Sequence, residues 1–465
     1  MPDVPDSTGA QPHPRSGFRR SIGLFAATAI NMTQMCGIGP FITIPLMVAA
    51  MGGPQAVVGW IAGAVLAIAD GMVWAELGAA MPGSGGTYVY LREAFQYRSG
   101  KLMPFLFIWT VLLAVPLTMS TGIIGMIEYL QFFFPRMSPF ATHAVGVGAT
   151  ALVVLLLYRR IESIRAITIG LWIVMLVSVI GVSAAGLSDF HADLAFHYPD
   201  DAFGGQFLTG LGAGLIIGIY DYLGYFTTAY MGDELRDPGR TMPGSIIIAV
   251  IAMMCIYLVL NISVLGVVPW QQIAESKSVA SLVVEHSWGH AAAAVMTVLI
   301  VITAFASVFA GLLGGSRVPY QAAHEKVFLS VFGRLHATHG FPHVALVTMG
   351  IVTAIGTFFD LNDVINMLVA ASVLVQSIAQ VAALIVLRRR QPGLARPYRQ
   401  WLYPLPCLIA LVGWIWVYVK AGTLPQILSG VWLLAGIGVF FLWARLNKSW
   451  PFAPLEIREA YLGND

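Results

Sequence analysis

Asp70, Glu128 and Asp221 are carboxylates set inside long apolar stretches, and Glu76 lies near the end of one. "MCGIGPFITIP", residues 35–45, places Gly37, Gly39 and Pro40 inside another such stretch. There a Gly costs about 1 kcal/mol and a Pro about 3 kcal/mol relative to Ala in a helix. Pro40 also lacks the N–H that would bond back to Cys36. The stretch is therefore expected to break, leaving the amides of Gly37, Ile38 and Gly39 without acceptors while the next half-helix aims its positive end at the gap. A carboxylate answers both. A second weak point, "GLGAGLIIGIYDYLGYFTTAYMGDE", carries Gly210, Gly212, Gly214, Gly218 and Gly224 around Asp221. Unwinding near 218–224 would free carbonyls at a negative helix end, which suits an ammonium group. The two breaks together describe a holder for a zwitterion. Its expected residues are Cys36, Gly37, Ile38 and Gly39 on one side and Gly218, Ile219, Tyr220, Asp221 and Gly224 on the other.

The elements that position these residues are membrane helices. The chain is 465 residues long, 58% hydrophobic and 10% charged, with a mean hydropathy of +0.78; it has too little polar surface to fold in water. Apolar runs long enough to cross a hydrocarbon core of about 30 Å cover 22–50, 55–80, 101–134, 140–158, 164–187, 205–231, 243–268, 290–320, 343–360, 363–387, 402–420 and 425–446. These are continuous runs and not the short alternating segments of a barrel, so the expectation is an all-α bundle of about twelve spans. With the N-terminus inside, 22 of the 25 Lys and Arg fall on the cytoplasmic side, and only Arg136, Lys277 and Lys420 fall outside. Both termini are thus expected in the cytoplasm. The basic loops are orientation signals, and nucleic acid is not an expected partner. Residues 1–20 read as a disordered tail without a signal peptide, and 448–465 as a C-terminal tail. Cys36, Cys255 and Cys407 lie in or near spans, so no disulfide-linked partner subunit is expected.

A carboxylate at the bilayer centre costs at least about 2.5–3.5 kcal/mol. Because the Lys and Arg sit in loops or at span ends, each buried acid has three options: to face water, to hold a proton, or to meet an arriving cation. For Asp221 that cation is a substrate amine, one end of a polyamine, a basic side chain or Na+; the alternative is an Asp that caps a half-helix. Asp70, about two turns from a cytoplasmic end, is a candidate for ion or proton coupling or a solvated group. Glu76 is expected to pair with Arg92 or a neighbour, and Glu128 to be solvated at an external end.

"CGIGPFITIP", "AELGAAMPGSGGTYVYLREAF" (75–95) and "GDELRDPGRTMP" (232–243), on the twelve-span plan, resemble the amino acid, polyamine and organocation (APC) transporter superfamily. The resemblance implies a LeuT-type five-plus-five inverted repeat with two extra helices. Its parts would be a first repeat over 21–190, an inverted second over 203–390 and two added spans over 400–447. It also implies transport of amino acids or related amines, H+ or Na+ as a coupling ion, Tyr220 as an aromatic gate, and Thr303 and Ser307 in "TAFAS" as a candidate ion site. Two departures stand out. Ile38 replaces the serine of the familiar Gly-Ser-Gly, and the fifth span, "AITIGLWIVMLVSVIG", has no Lys.

The leading expectation is a multi-pass amino acid permease of the cell membrane, in a bacterial inner membrane, with lipid around it. A polyamine transporter of the same superfamily and a non-transporting amino acid sensor are the alternatives. An enzyme is not expected: "HEKVF" at 324 lacks the second His of HExxH, and there is no GxSxG, phosphate loop, metal cluster or cofactor motif.

Overall fold

The computed structural model describes residues 21–82, 86–158, 164–336 and 341–452. The expected tail 1–20, the chain beyond Phe452, the boundary-motif residues Gly83, Ser84 and Gly85, and Arg159 and Arg160 lie outside the described residues. The described chain is helical. Its helices are α1 (Leu24–Met35), α2 (Gly39–Met51), α3 (Val57–Ala80), α4 (Thr87–Ser99), α5 (Leu102–Leu130), α6 (Pro139–Tyr158), α7 (Ile164–Ser188), α8 (Ala192–Ala195), α9 (Phe207–Tyr222) and α10 (Pro238–Leu265). They continue as α11 (Trp270–Glu275), α12 (Val279–Trp288), α13 (His290–Gly315), α14 (Arg317–His324), α15 (His343–Gly356), α16 (Leu361–Ser372), α17 (Ala379–Arg390), α18 (Leu405–Lys420) and α19 (Thr423–Leu446). Among the described residues, 8 helical segments are long and apolar enough to cross a membrane, and the bent pair α1–α2 makes 9. The other three expected spans coincide with shorter apolar helices: Ile173–Ser188, α15 and α18.

The helices fall into two packed groups. In one, α1 lies on α10, α2 on α9, and α3 on both α9 and α10. In the other, α5, α6, α13 and α15 pack on one another. Helix α7 touches α10 and α13, and α16 touches α5 and α9, so these two bridge the groups. The spans thus meet in the pairs first with sixth, second with seventh, third with eighth and fourth with ninth, as an inverted five-plus-five arrangement requires.

Both expected breaks exist, and the second occupies only the end of its expected stretch, 218–224. α1 stops at Met35, Cys36 is extended (φ −96, ψ 92), and α2 restarts with Pro40 in its first turn, bent by 57° from α1. In the sixth span, by contrast, Gly218, Ile219, Tyr220 and Asp221 are helical, and α9 ends only at Tyr222. The glycines before that point serve close packing and not unwinding. A Cβ on Gly218 would lie 2.9 Å from the Gly59 carbonyl oxygen, one on Gly63 3.0 Å from the Gly218 carbonyl carbon, and one on Gly210 2.7 Å from the Ala50 carbonyl oxygen. The turn itself belongs to Leu223 (ψ 127) and Gly224 (φ +116), where a Cβ would also press on the Gln34 main chain at 2.9 Å. A 3-10 helix over Thr227–Glu234 follows.

One polar tie holds the ends of the two broken spans together, and a second joins α3 to α17. Ser21 and Ile22 donate their amides to the Glu234 carbonyl, both at 3.0 Å, and Arg236 returns one to Ile22 at 2.8 Å. Glu76, fully buried, does not reach Arg92, which pairs with Glu93 instead. It accepts Nε and Nη2 of Arg388 at 2.7 and 2.5 Å, the Gln400 amide at 2.9 Å, and Arg396 lies 3.7 Å away. Arg388 comes from α17 and stacks on Tyr403 at 3.8 Å, so this one carboxylate joins α3 to α17 and the loop after it. Burial beside the Glu76 charge pushes the Tyr398 phenol up to about 12. Removing one member of such a pair leaves buried charge uncompensated. Glu76→Ala is expected to lower stability by about 3 kcal/mol, read as loss of the monodisperse peak on heating in detergent; an unchanged melting profile would count against the latch.

Candidate functional site

The two breaks face each other on the seam between the helix groups. Among the described residues, no acceptor receives a hydrogen bond from the amides of Gly37, Ile38 or Gly39. Ile38, where a serine was expected from the resemblance, turns its side chain away: a Cβ on Gly125 of α5 would meet its Cδ1 at 3.0 Å. Gly125 thus makes room for the bulkier residue, and the backbone of the gap stays open. Ser307 of α13 closes the other side of Gly37, its Oγ 3.3 Å from where a Cβ would be. Ser307 bonds the Thr303 carbonyl at 2.9 Å. Thr303 bonds the Leu299 carbonyl at 2.8 Å, so its only hydrogen stays within its own helix.

At the opposite pole, the last turns of α1 and α9 present the carbonyls of Met35 and Asp221 to a single point. Tyr257 of α10 fills it, its hydroxyl 2.9 Å from the Met35 oxygen and 3.0 Å from the Asp221 oxygen. Two negative helix ends therefore share one hydrogen. Asn31 of α1 secures the other side of the sixth-span break. It accepts the Thr228 amide at 3.0 Å and donates to the Thr228 hydroxyl at 3.2 Å.

The Asp221 side chain does not sit with these carbonyls. It is 2% exposed and crosses to α2, where Oδ2 meets the Thr43 hydroxyl at 2.5 Å. Its Oδ1 has no partner among the described residues and lies beside Gly39, so closely that a Cβ there would collide with it. The carboxyl expected across from the amides is therefore beside them, because α9 stays helical through residue 221 and turns that position toward α2. Thr43 also bonds the Gly39 carbonyl at 2.9 Å. Tyr220 points to the second group and shares a hydrogen bond of 2.7 Å with Thr121 of α5, as a ring lying across the seam would. The fifth span meets the gap with Met175, whose sulfur is 2.9 Å from the Cys36 thiol.

Asp70 is elsewhere. It is 1% exposed, not solvated, and bonds Trp74, Trp414 and Tyr225. Glu128 is half-buried near the end of α5. Thr43, Thr121, Asn31, Met175 and Tyr257 were not singled out in the sequence; hydroxyls and a thioether in apolar runs carry no local signal, and only the helix pairing brings them to the gap.

A family profile described as amino acid permease matches residues 22–445. The branched-chain amino acid permease BcaP of Lactococcus lactis is 25% identical over 89% of this chain and 93% of its own length. The human Asc-type amino acid transporter 1 is 27% identical over 92% and 83%. The rat large neutral amino acids transporter small subunit 2 is 25% identical over 95% and 85%.

Gly37→Leu is expected to abolish ligand binding, because the side chain enters the gap against Ser307. The check is equilibrium binding of a radiolabelled amino acid to the purified variant; wild-type affinity in a monodisperse Gly37→Leu protein would overturn the site.

Proposed function

Because this chain belongs to the amino acid permease family, which spans residues 22–445 of it, we propose that it is a secondary active transporter. It binds an amino acid at the junction of the two broken spans and exposes that junction to either side of the cell membrane in turn. One observation carries the reading. Unpartnered amides at the start of α2 and converging carbonyls at the ends of α1 and α9 lie on the seam between two separately packed helix groups. Backbone polar groups without partners are tolerated at membrane depth only where they line a cavity. Movement of one group against the other opens such a cavity first to one side and then to the other.

The poles fix the substrate's orientation. Its carboxylate goes to the amides of Gly37, Ile38 and Gly39 and the positive end of α2; its ammonium, with three hydrogens, goes to the carbonyls that Tyr257 serves with one. A carboxylate at the amides requires that Asp221, next to Gly39, be uncharged. The hydroxyl of Thr43 supports this. It has one hydrogen and two neighbouring oxygens, the Gly39 carbonyl at 2.9 Å and Asp221 Oδ2 at 2.5 Å. Both contacts are hydrogen bonds only when Asp221 supplies the second hydrogen. Asp221 is then a neutral wall of the site and not a partner for a cationic side chain. With Met175 beside the gap, and branched-chain and large neutral amino acids in the names of two relatives, the substrate is a neutral, apolar amino acid. Tyr220 is the gate, held across the seam by its bond to Thr121.

In proteoliposomes, uptake of a labelled branched-chain amino acid is expected to be competed by neutral amino acids and not by putrescine; the reverse order would establish the polyamine reading, and binding without flux the sensor. Asp221→Asn, which keeps shape without charge, is expected to retain most uptake of neutral amino acids. Loss of that uptake in a folded Asp221→Asn protein would show that the carboxylate or its proton is needed.

A further inference from the structure

The loop 391–404, between α17 and α18, is more basic than its tie to Glu76 requires. From Arg388 to Arg399 the chain carries five arginines, and no Asp or Glu occurs between Asp363 and Glu456. Glu76 is fully buried and engages two of the five, Arg388 and Arg396. Burial presses the Arg396 guanidinium down from its ordinary range; Glu76 opposes this, and the charges of Arg388 and Arg399 add to it. One carboxylate thus stands against a surplus of cations. Arg389 and Arg399 are exposed and pair with no Asp or Glu among the described residues. Helix α4 brings Arg98, also exposed and without such a pair, to the same face: its guanidinium and that of Arg390 both lie over the Tyr97 ring, at 5.3 and 3.2 Å.

The loop is a fixed frame and not a loose tether. Arg396 donates to the carbonyls of Leu394, Leu387 and Gln391 at 3.1, 2.9 and 3.1 Å, and the Gln400 side chain bonds the Cys407 sulfur at 3.0 Å. Pro397 lies against Gly239 of α10, where a Cβ would meet it at 2.5 Å. From this frame the next residues project apolar surface: Trp401 is 64% exposed and Leu402 77%. Leu402 takes the left-handed backbone region (φ 55), which a bulky residue adopts only where its surroundings impose it. Because 391–404 joins two consecutive spans, it lies at one surface of the membrane, the surface toward which the basic loops point. An indole and a leucine at the foot of a span reach the acyl boundary, and a guanidinium beside them meets phosphate with two N–H groups at once. A zwitterionic headgroup carries its own cation, so a surplus of positive charge selects a headgroup of net negative charge.

We propose that Arg98, Arg389 and Arg399, with Trp401 and Leu402 at the acyl boundary, bind anionic phospholipid headgroups on the face of the basic loops. The same loop holds Glu76, so the bound lipid anchors the tie between α3 and α17 to the membrane surface.

Trp401 is one of 12 tryptophans, and the difference in fluorescence between the wild type and Trp401→Phe isolates it. The full chain is placed in phosphatidylcholine nanodiscs into which brominated phosphatidylglycerol or brominated phosphatidylcholine is titrated. Brominated phosphatidylglycerol is expected to quench Trp401 at a mole fraction at least about fivefold lower than brominated phosphatidylcholine. Raising NaCl is expected to narrow that difference, and the double variant Arg389→Gln, Arg399→Gln to remove it; both side chains are exposed, so the variant keeps the wild-type elution peak. Equal quenching by the two lipids, no quenching of Trp401 by either, or a difference that survives in the double variant overturns the proposal. Loss of the difference on adding inorganic phosphate at constant ionic strength would assign the arginines to a soluble anion and overturn it as well. The readout uses no transport, so its failure and that of the transporter reading are told apart.

Discussion

A membrane offers no water to a broken helix, and that constraint shapes the rest of this molecule. Each amide or carbonyl released where the first and sixth spans stop must be answered by protein or by something the protein holds. The answers are few and specific. Tyr257 serves the carbonyls of Met35 and Asp221, Asn31 takes the amide and hydroxyl of Thr228, and Thr43 engages Asp221. Among the described residues the amides of Gly37, Ile38 and Gly39 stay unanswered, and that is where the proposed ligand belongs.

The supply of hydrogens also separates two carboxylates that look alike in the sequence. Asp70 meets an indole N–H on each oxygen and a phenol on one of them. Asp221 faces a hydroxyl whose hydrogen is claimed twice, with its other oxygen against a glycine and without any donor. Both oxygens of the first acid are supplied with hydrogens, whereas the second is left one hydrogen short. The fate of a buried acid in lipid follows from the donors around it more than from its depth, since both are almost completely buried.

Much of the architecture was legible because its signals are local. Pro40 beside two glycines announces a break wherever it occurs in a helix, and the apolar runs matched helices along the described chain. The sixth-span break was drawn too broadly, over 218–224, because glycines have two uses that composition does not separate. Gly218 is there so that α9 can lie against Gly59 and Gly63, whereas Gly224 alone adopts the left-handed turn. The partners of Glu76 were out of reach for a related reason: Arg388 and Arg396 are more than 300 residues away along the chain, and only the packing of α17 on α3 makes them neighbours. Thr121 and Tyr257 were hidden likewise, as polar atoms in apolar runs whose significance lies in what stands opposite.

The glycine contact between α3 and α9 has a kinetic side. There, main chain rests on main chain with no side chain between to yield, so the two helices form one incompressible lever. At the seam, the hydrogen bond that ties α9 to α5 among the described residues is that between Tyr220 and Thr121. A bond of that kind is worth about 0.5–1.5 kcal/mol net, little more than thermal agitation. In the proposed movement of one group against the other this bond is easily exchanged, and the packing of α7 and α16 across the two groups is what has to rearrange.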